Sequence, residues 1–177
     1  ALLALTVLAF ATTSLALPLR AFLPMFADDA AHLSQMMTML GGGAVVGALI
    51  VAWLGSFEHM GRTLLLVQIV FGGIVAMFAL LPMSAASHVL LFLGGTALLM
   101  IFSLTNSLVQ LAVPDELRGR VISIYLAAFR GGMPLGSLVS GYFISQFSAP
   151  TVIATNGVLL CLVAAGFLVG SRPVRDL

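Results

Sequence analysis

Lysine is absent from this chain, and charge of either sign is scarce. Seven basic residues, all arginine, and six acidic ones make up 7% of 177 residues. A water-facing domain carries roughly 25% charged residues. The chain therefore cannot coat a soluble surface. At 61% hydrophobic residues and mean hydropathy +1.19 it reads as an integral membrane protein in contact with a lipid bilayer. A net charge of +1 makes no case for a nucleic-acid partner. The single cysteine, Cys161, rules out an intrachain disulfide and reads as a small side chain in an apolar run. No phosphate-cradling glycine loop, zinc-ligand cluster or catalytic triad stands out. Neither an enzyme nor a cofactor nor a metal is expected.

What the chain has is apolar length. Six segments, at about 2–26, 33–55, 63–83, 88–111, 121–146 and 150–171, are each long enough to span a bilayer as a helix. A helix satisfies its own backbone, which lipid cannot do. The spacers on one face hold Asp28 and Asp29 and no arginine. Those on the other face, with the tail, hold Arg62, Arg118, Arg120, Arg172 and Arg175. That bias predicts that the arginine face and both chain ends are cytoplasmic, in a bacterial inner membrane. The chain begins at Ala1, without Met and already apolar, so it reads as a piece of a longer protein. Residues 1–17 could be a signal-peptide core, but no basic stretch precedes them.

An internal repeat is visible. Shifted by 89 residues, Gly42–Trp53 falls on Gly131–Tyr142, matching a Gly-Gly pair, a further Gly, a Leu and a closing aromatic. The same shift carries segments one to three onto four to six without gaps. Three is odd, so the second copy enters from the opposite face. The expected fold is an all-α membrane protein, six transmembrane helices in a 3+3 inverted repeat, a plan of secondary transporters.

Arg130 is the conspicuous charge. It lies ~15 Å along a helix from Arg120, near the middle of a ~30 Å hydrocarbon layer. It is followed by Gly131, Gly132 and Pro134, which weaken the helix. It is either satisfied by helix carbonyls or lines a polar cavity, where it binds an anionic or polar substrate or pairs with an acid. The first segment carries Thr6, Thr13 and Arg20 on one face. The fourth carries Thr96, Ser103, Ser107 and Gln110, with Asn106 beside them. Arg20 could instead snorkel from its helix end. The hydroxyls could bond their own helices, and the amides could bridge neighbours. Gly43 with Gly47, and Gly136 with Ser140, have the four-residue spacing that lets helices pack closely. No Asp, Glu or His lies within the six segments; His88 stands at the edge of the fourth.

Three features resemble the major facilitator superfamily, in particular its C-terminal six-helix half. The loop Gly55–Arg62, G-S-F-E-H-M-G-R, is similar to the family's G-x-x-x-D-R-x-G-R-R loop. Glu58 stands for the Asp, His59 and Thr63 for basic residues, and the spacing from Gly55 is one short. The run V-P-D-E-L-R-G-R-V from Val113, followed by G-G-M-P-L-G-S-L-V-S-G from Gly131, resembles the branch of enterobactin exporters and macrolide-efflux proteins. The third feature is the 3+3 repeat. The resemblance implies two six-helix bundles that rock around a central cavity, the N-terminal bundle being the missing partner. It places segments one and four at the cavity, two and five at the contact between bundles, and three and six outside. It implies a cytoplasmic gate of Glu58, Arg62, Asp115, Glu116, Arg118 and Arg120. Export of a small organic compound, drug or siderophore-like, through a cavity with Arg130, Asn106, Thr13, Ser103, Gln110 and Arg20 is the expected activity. Import of sugars or organic acids, or a membrane half-protein that transports nothing, are the alternatives.

Overall fold

The structure, a computed structural model, describes residues 2–55, 57–82, 84–113 and 118–170. Seven α-helices build six spans, and no strand occurs among the described residues. The first span, Leu2–Phe26, is broken. Helix α1 runs Leu2–Ala16, α2 runs Pro18–Phe22, and a 3-10 turn covers Leu23–Phe26. Pro18 causes the break, because it has no N–H to give the Ser14 carbonyl four residues back. The remaining spans are α3 (Ala30–Leu54), α4 (Met60–Leu80), α5 (Ala85–Ala112), α6 (Arg118–Gln146) and α7 (Ala149–Gly170).

Helices α3, α4 and α5 each begin three residues before their apolar runs; at α3 and α5 a polar cap precedes the first turn. The Asp29 carboxylate accepts the His32 N–H at 2.6 Å, and the Ser84 N–H donates to Ser87 Oγ at 3.3 Å. Gly55 and His59 bring α3 into α4 through left-handed backbone, φ 59° and 66°. At the opposite membrane face the His32 and His88 rings stack, centroids 5.5 Å apart, and join the starts of α3 and α5. Helix α6 stays continuous through Gly131, Gly132 and Pro134, although Pro134 leaves the Arg130 carbonyl without a helical donor.

Each span has its main partner in the other triplet. The second packs on the fourth, the fifth on the first, and the third on the sixth; the third also meets the fourth, and the sixth the first. Exchanging first with fourth, second with fifth and third with sixth turns this pattern into itself, as a pseudo-twofold requires. Glycines set the register. A Cβ on Gly43 or Gly47 would strike the carbonyl oxygen of Phe92 or Thr96. One on Gly132 or Gly136 would strike Phe10 with Thr13, or Ser14. So Gly43 matches Gly132, 89 residues on, while Phe10 matches Phe92, 82 residues on. Gly72 and Gly157, 85 apart, lie on each other's carbonyls.

The expected single, gapless shift is therefore corrected. It holds for the second and fifth spans alone. The seven-residue discrepancy is close to two helical turns, which leaves the facing side chains on the same stripe and hides the offset. Gly136 also packs on the Ser14 carbonyl that Pro18 leaves without its helical donor. Lipid offers no hydrophobic drive between helices, so close backbone approach at such seats carries the association.

Candidate functional site

Two adjoining grooves run along one side of the bundle. The first, about 250 Å³, has Arg20 of α2 at its edge, Met37 and Gly41 of α3 on one wall, and Leu99 of α5 on the other. The second, about 300 Å³, holds Ser103 and Asn106 of α5 and Tyr125 and Leu126 of α6. Phe102 borders both, so the grooves share a wall. Its ring meets Phe129 edge-on, centroids 5.0 Å apart at 74°, and Phe129 lies 5.9 Å from Tyr125. The result is an aromatic floor with an arginine at one end and a hydroxyl and an amide at the other. Such a surface suits a ligand with an apolar body and a few hydrogen-bonding or anionic groups.

Arg130 follows Phe129 and is exposed. It shares a stripe of α6 with Ser123, Ala127 and Pro134, all exposed. The opposite stripe, with Tyr125, Gly132, Gly136 and Ser140, is buried. Arg130 therefore points away from the packed face of its helix. Gln110 is exposed near the end of α5, outside both grooves.

Thr13, expected at the cavity, is corrected. It is wholly buried, its hydroxyl bonds the Ala9 and Phe10 carbonyls at 3.0 and 3.1 Å, and Gly132 packs on it. The stripe of Thr6, Thr13 and Arg20 does not survive the break at Leu17, which separates Arg20 from α1. Thr6 bonds the Leu2 carbonyl at 3.0 Å. Thr96 bridges helices, its hydroxyl reaching both the Gly43 and Phe92 carbonyls at 3.0 Å. Ser140 packs toward α7 rather than α1, accepting a bond from Asn156 Nδ2 at 2.9 Å.

Asn156 and Gln68 were missed by sequence reasoning. Gln68 is wholly buried in α4, and its Nε2 donates to Thr12 Oγ1 at 2.6 Å. Each is the lone carboxamide in an apolar span. An amide in lipid needs a partner, and that was the available signal.

At the gate positions, Glu58, Arg62 and Arg120 are exposed on one membrane face. Asp115, Glu116 and the side chain of Arg118 lie outside the described residues. Among the described residues the one close contact between a basic and an acidic side chain is His32 Nδ1 with Asp28 Oδ2, at 3.4 Å on the opposite face.

A family model described as transmembrane secretion effector matches residues 2–176. No curated protein and no solved structure matches the chain.

Proposed function

Because that match omits only the first and last residues, the chain belongs to the transmembrane secretion effectors of the major facilitator superfamily, and on that premise we propose that it is the C-terminal six-helix half of a secondary transporter. It exports a small organic compound, drug or siderophore-like, by alternating access. The observation that carries this reading is the pair of adjoining grooves on α2, α3, α5 and α6, with Arg20, Ser103 and Asn106 around an aromatic floor. Arg130 lines neither groove, but on the exposed stripe of α6 it carries a positive charge near mid-membrane, which favours anionic or strongly polar groups on a cargo that meets that stripe.

The exposed faces support a missing half. Only 11% and 17% of the apolar windows of α3 and α6 are buried, against 33–44% in the other spans. Those two helices are where a second six-helix bundle would rest. By the positive-inside bias, the bilayer side that holds the arginines of the spacers and tail is the cytoplasmic one. There Glu58, Arg62 and Arg120, with Asp115, Glu116 and Arg118, form the gate. Exposed ion pairs contribute about 0–1 kcal/mol each. A gate of that strength can close and reopen between states a few kcal/mol apart. Among the described residues neither groove holds Asp, Glu or His. If export is coupled to protons, the titrating group belongs to the other half.

The test uses the full-length transporter in proteoliposomes with a compound panel. Arg130→Ala or Asn106→Ala should raise the substrate KM or cut flux about tenfold or more, the equivalent of one lost charged or neutral hydrogen bond of about 1–3 kcal/mol. An Arg130→Ala protein with unchanged affinity and flux removes that arginine from the site.

A further inference from the structure

A third groove lies between α6 and α7, away from the two already described. It measures about 430 Å³ and is lined chiefly by Leu15 of α1, Val139 and Phe143 of α6, and Thr155 and Leu159 of α7. No charged residue borders it. Asn156 and Ser140, bonded to each other, form its polar patch. Its mouth is at the turn between the helices, where Phe147 lines it and the Ser148 and Thr151 hydroxyls bond at 2.8 Å. Its far end is Leu159, ten residues into α7. At ~1.5 Å per residue that depth is ~15 Å, half of a ~30 Å hydrocarbon layer and so one leaflet.

The other triplet treats the matching place differently. By the register of the glycine seats, Asn156 corresponds to Phe71, 85 residues earlier, and Ser140 to Val51, 89 residues earlier. Phe71 is wholly buried, with its ring edge beside Gly94. One triplet fills the position with its own aromatic ring, and the other has a shorter amide and a leaflet-deep groove. A groove left empty there would forfeit contacts on every wall.

We infer that the α6–α7 groove holds one acyl chain of a membrane phospholipid as an ordered ligand, with the ester region at the Ser148–Thr151 mouth. The match is of chemistry and length: hydrocarbon walls, hydroxyls at the mouth, and the depth of a single leaflet. Nothing charged on the walls selects a headgroup, so the groove selects the chain.

The test is native mass spectrometry of the full-length transporter released from a mild detergent. The wild type is expected to keep one phospholipid. Asn156→Phe with Ser140→Val, which copies Phe71 and Val51 from the other triplet, is expected to lose it. Val139→Trp narrows the rim at a half-exposed position without touching the core, and should lose it as well. That second variant decides the matter should the double variant misfold. A wild type that carries only detergent overturns the proposal, as does a Val139→Trp protein that retains lipid like the wild type.

Discussion

Gly43 and Gly132 rest on a neighbouring helix at matching places, and so do Gly47 and Gly136. Around these seats the two triplets diverge. The first has Phe71, Gln68 and Gly41 where the second has Asn156, Ile153 and Arg130. At Gly43, Gly47 and Gly136 the seats are backbone contacts, which no change of side chain on the carbonyl partner can disturb, while Gly132 rests first on the Thr13 side chain. The divergent positions are side chains that reach lipid, a groove or a neighbouring span. Matched seats with unmatched surroundings are what an inverted repeat needs if both triplets are to move alike while a single wall of the bundle carries the chemistry.

Breaking a seat should have the largest effect on that comparison. In both triplets an added Cβ meets main-chain atoms that cannot rotate away, so the helices must part. Gly43→Ala and Gly136→Ala should each lower stability by about 1–3 kcal/mol, the usual range for overpacking. Gly41 and Gly131 have nothing within 4 Å of a Cβ, and alanine there should be neutral or stabilising by roughly 0.5–1 kcal/mol. Thermal unfolding of the detergent-solubilised full-length protein checks all four. Equal melting temperatures for Gly136→Ala and Gly131→Ala would refute the seat in the second triplet.

The number and approximate ends of the spans were legible because a run of twenty apolar residues has few places to go but across a bilayer. The three-residue error at the starts of α3 and α5 arose because hydropathy ignores capping residues such as Asp29 and Ser84. The pairing of Gly43 with Gly132 was also legible. The matching of Phe10 with Phe92 was not, since an offset of two helical turns preserves the pattern of faces. Arg20, Ser103 and Asn106 could be picked out as polar residues on the first and fourth spans. Thr13 looked the same on the page. Periodicity tells which side chains share a face but not which helix covers it, and α6 covers Thr13 through Gly132. Asn156 and Gln68 escaped because a lone amide has no period at all.

A smaller effect separates the hydroxyls at the two matched seats. Thr96 bonds across to the Gly43 carbonyl, while its counterpart Ser14 bonds only within its own helix, to Phe10 at 2.7 Å. Hydrogen bonds between membrane helices average about 0.6 kcal/mol. Thr96→Val should therefore lower stability by about that much, and Ser14→Ala by less. The same melting assay compares them, and a larger loss at Ser14 would mean that its hydroxyl serves the fifth span.

The substitution expected to come nearest to no net change is Gln68→Ile, although the residue is wholly buried and polar. Its Nε2 donates to Thr12 Oγ1, but Thr12 already donates to the Leu8 carbonyl at 2.7 Å, and Gln68 Oε1 is buried without a protein partner. Removing such an amide takes away one hydrogen bond and one orphaned acceptor together, and the two contributions oppose each other. At the matching position of the second triplet, Ile153 is wholly buried. Gln68→Ile should thus stay within about 1 kcal/mol of the wild type, whereas Gln68→Ala, which leaves a hole, should lose about 2 kcal/mol or more. If Gln68→Ile instead melts as early as Gln68→Ala, the amide is held by something beyond Thr12, such as a bound water on Oε1. The polar contact between the first and third spans would then matter as much as the glycine seats.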